Sequence, residues 1–276
     1  MIEAGSGRLV VDGCGIEYRH LGPSPERAPT VVLLHEGLGC LGLWKDFPER
    51  LQAATGLGVF AFSRPGYGRS DPVPLPRPLD FMEREARTFL PQLLDAIGFR
   101  RGILLGHSDG ASVATVHAGA VGDLRVRGLV LLAPHFFVEE VTVAAIEETR
   151  RRYETGDLRA RLARWHDHVD VAFRGWCETW LDPRFRDWDL REYLPYIRVP
   201  MLIVQGLADP YGTLAHAEAA EAESYGPVDV LALAETGHAP HLERPDEVLR
   251  AVADFTDRLF RLHEARPPLA ANQGEE

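Results

Sequence analysis

Lysine is nearly missing from this chain. Of its 30 basic residues only Lys45 is a lysine, and 41 acidic residues outweigh them to leave a formal net charge of −11. A surface with that balance repels a phosphate backbone, so nucleic acid is excluded as a partner, and the charge keeps the chain soluble. The arginine bias itself carries no functional reading. Cysteine is scarce too. Cys14, Cys40 and Cys177 are odd in number and scattered, and no two stand at metal-ligand spacing. That excludes a disulfide framework, gives no reason to expect a metal, and points to a reducing cytoplasm. No run of eighteen apolar residues occurs, and the first residues lack a charged-then-apolar pattern, so neither a membrane span nor a signal peptide is expected.

What is present is a large apolar fraction, 45% of 276 residues, enough to bury one α/β core carrying an inserted piece. Short, nearly continuous runs rich in Val, Ile and Leu recur at residues 30–34, 59–62, 102–105, 129–132, 201–204 and 228–233, as parallel strands covered on both faces require. Helical patterns at residues 47–54, 80–97, 109–121, 213–223 and 245–263 separate most of them, which implies right-handed crossovers and a mostly parallel, doubly wound sheet. Residues 1–13 read as an edge strand and a turn. The stretch between residues 133 and 199 breaks the rhythm: it holds helical runs near 138–153, 157–167 and 169–180 and no strand, so it reads as a helical cap over the carboxyl edge. The expected organisation is a core of residues 1–134 and 199–263, a cap of residues 135–198, and a polar, disordered tail at 264–276.

Residues 106–110 read Gly-His-Ser-Asp-Gly between an apolar run and an alanine-rich helical segment. This is the setting of a nucleophile elbow, a strand-to-helix turn so tight that a Cβ at either flanking glycine collides with its neighbours. The pattern alone is weak, because with 26 glycines it arises by chance, leaving Ser108 as a mere helix cap. The rest of a catalytic constellation must therefore be found. Asp209 lies in QGLADPYG, just after the strand at 201–204, and His238 lies in ETGHAPHLERPDEV, after the last strand. The order nucleophile, acid, base is that of the α/β-hydrolase sheet and not of the two large serine protease folds. The glycines of RPGYGRS fit no nucleotide loop, since no lysine follows them.

These pieces carry a resemblance. LLHEGLG at residues 33–39, SRPGYGRSD at 63–71, GHSDG at 106–110, GLADPYG at 206–212 and TGHAPHLERP at 236–245 make the chain similar to the capped α/β-hydrolase fold superfamily from about residue 16 to 262. The resemblance implies that Ser108 attacks a carbonyl, His238 takes its proton and later protonates the leaving group, and Asp209 fixes the imidazole tautomer. The tetrahedral oxygen then needs amide donors in place, each worth roughly 3–4 kcal/mol. One is Asp109, directly after the nucleophile; by resemblance the other is Gly37 or Leu38. Here the sequence departs from the commoner HGxG loop by carrying Glu36, which leaves open which amide points inward.

Around this centre, Glu36 has two readings: a loop carboxylate paired with an arginine such as Arg64, or a group orienting substrate or water. Asp109 is either a helix N-terminal acid, favourable by itself, or a site for a cationic amine on the acyl group. His35 braces the oxyanion loop, His107 packs under the elbow, and His241 is a rival base. The cap is rich in aromatics, so Phe136, Trp176 and Trp180 are expected on the cavity wall, with Trp44 opposite, favouring small hydrophobic or aromatic acyl groups. The expected activity is hydrolysis of a carboxylic ester, lactone or thioester of a small molecule, with no cofactor, no metal, and no nucleic-acid or membrane partner. Carbon–carbon bond hydrolysis of diketones from aromatic-ring degradation uses the same three residues and stands as the alternative, with a non-catalytic small-molecule receptor as a minor one.

Overall fold

The computed structural model describes residues 2–264; the tail expected at 264–276 lies outside the described residues from 265 onward. Strands β1 (Gly5–Val11) and β2 (Cys14–Leu21) form an antiparallel hairpin about Asp12 and Gly13, both at positive φ (51° and 75°), as a two-residue turn between twisted strands demands. The six strands anticipated from apolar runs follow as β3 (Thr30–Leu34), β4 (Gly58–Phe62), β5 (Gly102–His107), β6 (Val126–Leu132), β7 (Met201–Gly206) and β8 (Val228–Leu233). They complete an eight-stranded sheet in the order β1-β2-β4-β3-β5-β6-β7-β8, parallel from β4 to β8. Sequence reading missed β2 because its alternation of charged and apolar residues is that of a half-covered strand, unlike the continuous runs of the centre.

The helices are α1 (Phe47–Thr55), α2 (Phe81–Arg84), α3 (Leu90–Ala96), α4 (Asp109–Val116), α5 (Glu140–Thr155), α6 (Leu158–Leu162), α7 (Val169–Trp180), α8 (Ala215–Glu223), α9 (Pro240–Glu243) and α10 (Pro245–Glu264). Parity along the strands divides the core in two. Val31, Leu33, Ile103, Leu105, Val130 and Leu132 face one layer with Phe47 of α1 and Val248, Val252 and Phe255 of α10. Val32, Leu34, Leu104, Leu129 and Leu131 face the other with Met82, Leu93, Ala111 and Ala114. A period of two along each strand produces this split, and burial on both faces explains why these strands read as unbroken apolar runs.

Between β6 and β7 the chain carries α5, α6, α7 and two 3-10 turns and no strand of the sheet. Its aromatic face is held by stacked and edge-on rings, Tyr153 on Phe173 and Trp180 against Phe185 and Trp188. The sheet order reverses at β3, with β4 on one side and β5 on the other. In open α/β sheets the crevice outside the carboxyl ends at such a point is where ligands bind.

Candidate active site

Ser108 sits between β5 and α4 with φ 53° and ψ −118°, a positive-φ conformation that a non-glycine residue adopts only when its surroundings force it. The forcing is visible in the two glycines. A Cβ on Gly106 would lie 2.4 Å from the Gly110 carbonyl oxygen, and one on Gly110 would lie 2.1 Å from that of Leu34. Helix α4 therefore approaches both β5 and the end of β3 more closely than any side chain permits. The Ser108 amide donates to the Leu132 carbonyl (2.9 Å) and its own carbonyl accepts from Ala111 (2.8 Å), so the elbow is pinned from both sides.

The loops after β7 and β8 bring two further side chains to this serine. His238 Nε2 is 2.9 Å from Ser108 Oγ and His238 Nδ1 is 2.8 Å from Asp209 Oδ2. Asp209 is anchored in turn: Oδ2 accepts from Gln205 Nε2 (3.0 Å) and Oδ1 from the Tyr211 amide (2.8 Å). Burial pushes the Asp209 carboxyl up, but the hydrogen bond and charge of His238 and the two other donors outweigh it, so the group stays below its ordinary value and remains ionised. An ionised acid on Nδ1 keeps the hydrogen there and leaves the Nε2 lone pair facing the serine.

The rival base is placed elsewhere. His241 lies in α9, buried against Trp44, Phe47 and His107, and burial holds it well below its ordinary value. His107 lies beneath the elbow and spans two loops, its Nε2 2.6 Å from the His238 carbonyl and its Nδ1 3.3 Å from Glu36 Oε2. A carbonyl accepts, so Nε2 carries a hydrogen; protonation of Nδ1 as well pairs an imidazolium with the carboxylate. Burial opposes both charges. The hydrogen bond between them nevertheless lifts His107 above its ordinary value and drops Glu36 well below its own.

The anticipated pairing of Glu36 with Arg64 is thus corrected. Arg64 Nη1 is bound to Glu85 (2.9 Å) and its Nη2 reaches the Glu36 carbonyl (3.3 Å), not the carboxylate. The guanidinium enters from the loop after β4, underneath the turn, while the Glu36 side chain folds over Gly39 toward His107. His35 Nε2 accepts from the Arg64 amide (2.9 Å), so its Nδ1 hydrogen donates to the Glu36 carbonyl (2.7 Å). That carbonyl also closes a turn by accepting from Gly39 (3.0 Å). The Gly37, Leu38 and Asp109 amides at the cavity have no acceptor among the described residues and remain available to an oxygen beside Ser108.

Ser108 and His238 open into a cavity of about 100 Å³, walled by Glu36, Leu38, His135, Trp176, Trp180 and Tyr211 among others. Two expected wall residues lie elsewhere. Trp44 packs on Phe47 and His241 on the opposite side of the sheet, because the turn at Leu41–Trp44 directs its ring inward toward α1. Phe136 is fully buried, its amide bound to His216 Nδ1 (3.2 Å). Sequence reading overlooked His135 and Tyr211. Both follow the carboxyl ends of strands, and Tyr211 stands two residues after the acid, which is the signal that could have found them. Its ring centre lies 4.8 Å from that of His238.

Asp109 is a buried and only half-satisfied group in the cavity wall. Its Oδ1 accepts from Trp180 Nε1 (3.1 Å), but Oδ2 has no hydrogen-bond partner and the nearest cation, Arg64 Nη2, is 3.8 Å away. Burial pushes the carboxyl up to about 6, against the pull of Arg64 and the Trp180 N–H. Burial therefore outweighs the benefit expected of an acid at a helix N-terminus. A wider groove of about 800 Å³ lies away from this centre, lined by Asp12, Cys14, Asp71, Pro72, Asp80 and Phe89, and Ser108, Asp209 and His238 are not part of it. Among the described residues no three His, Cys, Asp or Glu side chains are grouped to hold a metal ion, and no helix is long and apolar enough to cross a membrane.

A strand–Ser–helix elbow, a hydrogen-bonded Ser–His–Asp chain and a parallel sheet of this order define one class of protein. The model of the alpha/beta hydrolase family matches residues 31–251, and the chain belongs to that family. It is similar to serine hydrolase BPHL of Mus musculus, with 29% identity over 262 residues covering 91% of this chain and 86% of that protein. Among solved structures, the esterase EaEST from Exiguobacterium antarcticum aligns with a TM-score of 0.72 at 20% identity, covering 92% of this chain and 100% of that one. The enol-lactonase from Burkholderia xenovorans LB400 aligns at 0.69 and 22% identity, covering 91% and 99%. At such identities the structural likeness speaks for the fold.

Proposed function

We propose that the protein is a serine hydrolase of carboxylic esters, working through an acyl-enzyme on Ser108. The observation that carries this reading is the continuous chain Ser108 Oγ, His238 and Asp209 at 2.9 and 2.8 Å, opening into a cavity. In the forward step Ser108 Oγ bonds to the carbonyl carbon as its proton passes to His238 Nε2; the imidazolium then protonates the departing alcohol, and a water activated by His238 releases the acid. The oxyanion is stabilised by the Asp109 amide and by Gly37 or Leu38. Residues 135–198 act as the cap that excludes water and shapes the cavity. An engineered cavity of about 150 Å³ accommodates benzene, so about 100 Å³ favours a short or small-ring acyl group.

A second reading concerns the acyl group. The unpartnered Asp109 Oδ2, buried at the cavity wall, favours an acyl chain carrying a cationic amine, which would supply the missing donor. Esters differing only in an amine or a methyl at that position separate the two. The central test is Ser108→Ala, expected to lower kcat by more than about 10⁴-fold on an activated short-chain ester; an unchanged rate overturns the proposal. A vinylogous diketone assayed in parallel measures the carbon–carbon alternative, and faster turnover of that substrate would replace the ester reading.

A further inference from the structure

The helical insertion is tied to the turn beside Ser108 by one buried imidazole. His166 lies in the insertion, after α6, yet both of its ring nitrogens bond to loops of the sheet. The Gly68 amide donates to His166 Nδ1 (2.9 Å), which requires a lone pair there. Nε2 therefore carries the hydrogen and donates to the Leu38 carbonyl (3.0 Å). The next residue repeats the tie, Asp167 donating to the Gly68 carbonyl (2.9 Å). Both bonds of the ring demand the neutral form with hydrogen on Nε2, and burial lowers its basicity in the same sense.

Leu38 is the third residue of the turn closed by Gly39 and the Glu36 carbonyl. The first half of this turn is fixed from the sheet, since His35 and Arg64 hold the Glu36 carbonyl. Among the described residues no side chain from the sheet is seen to hold the second half, where the Leu38 carbonyl bonds to His166. We propose that His166 is a positioning residue: by holding the Leu38 carbonyl it sets the direction of the Gly37 and Leu38 amides toward the oxyanion. This rests on the hydrolase reading above. The insertion then does more than cover the cavity; it completes the alignment of the donors. Misplacing such a group by about 1 Å costs on the order of 100-fold in rate.

Two substitutions divide the ring's two bonds. In His166→Asn the side-chain oxygen falls near the place of Nδ1 and keeps the Gly68 contact, while the donor to Leu38 is lost. In His166→Gln the amide nitrogen reaches the place of Nε2 and restores that donor. On the full chain, H166N is expected to lower kcat by about 10- to 100-fold with KM within about 3-fold, and H166Q to stay within about 3-fold of the parent in both. Hydrogen exchange at the Gly39 amide, which closes the turn, should quicken in H166N and not in H166Q. Equal kcat in both variants, or an equal loss in both, overturns the assignment. If Ser108 proves dispensable for turnover the hydrolase reading fails by itself; Gly39 exchange then still decides whether His166 holds the turn, and equal exchange in both variants refutes it.

Discussion

Replacing Asp109 by asparagine should make this protein more stable at neutral pH, even though the change is made one residue from the proposed nucleophile. The carboxyl is fully buried, has one hydrogen bond from Trp180, and leaves Oδ2 without a partner. Burial raises it from an ordinary 3.8 to about 6. That is about two pKa units, or about 3 kcal/mol of preference for the uncharged form in the folded state. Asparagine imitates the uncharged acid and keeps an oxygen for the Trp180 N–H. The sign follows from linkage: a carboxyl whose folded pKa lies above its unfolded one costs stability above the folded value, and that cost disappears as pH falls toward 3.8. Urea unfolding of the parent and the Asp109→Asn variant should therefore differ by about 2–3 kcal/mol in favour of the variant at pH 7.5. The gap should shrink as pH drops through about 6 and close near pH 4. A variant that is no more stable than the parent at pH 7.5, or a gap that does not move with pH, refutes the claim that Asp109 is a strained, under-partnered charge.

The elbow glycines make a second prediction. Gly110→Ala places a methyl 2.1 Å from the Leu34 carbonyl oxygen, with backbone on both sides unable to yield, so unfolding measurements should show a loss of about 3 kcal/mol or more, or no folded protein. Asp209→Asn should lower kcat by about 10⁴-fold while the fold persists, because the amide offers His238 Nδ1 the wrong tautomer; steady-state kinetics with circular dichroism checks both halves. Glu36→Gln removes the carboxylate whose hydrogen bond lifts His107. The His107 imidazole, followed by nuclear magnetic resonance, should titrate above its ordinary 6.5 in the parent and lower in the variant. The stabilisation from this pair should be greatest between about pH 4.5 and 6.5, fading as pH rises through the His107 value and as it falls below the ordinary 4.5 of Glu36, in the parent only.

The elbow, the acid and the base were legible because each is a local signal at a strand's carboxyl end. Gly106 and Gly110 flank a serine within five residues, and Asp209 and His238 each begin a loop that follows an apolar run. What stayed hidden is set by which side of a layer a side chain faces. Trp44 and Phe136 are large aromatics near the right loops, yet one turns toward α1 and the other packs against His216 of α8. The partner of Glu36 was equally out of reach: His107 is 71 residues away and meets it only because β3 and β5 are neighbours in the sheet. His166 fell within a segment read as helix, residues 157–167, whereas α6 ends at Leu162 and the residues after it extend to the oxyanion turn. The hairpin strand β2 was missed because its alternating composition is that of a half-covered strand.

The most direct test of the account is peptide mass spectrometry of the protein quenched in acid during turnover of a short-chain activated ester. An acyl group on Ser108, absent in Ser108→Ala and strongly reduced in His238→Ala, which lacks the base that forms it, is the predicted result. Steady turnover with no acyl adduct on Ser108, together with an active Ser108→Ala variant, contradicts it.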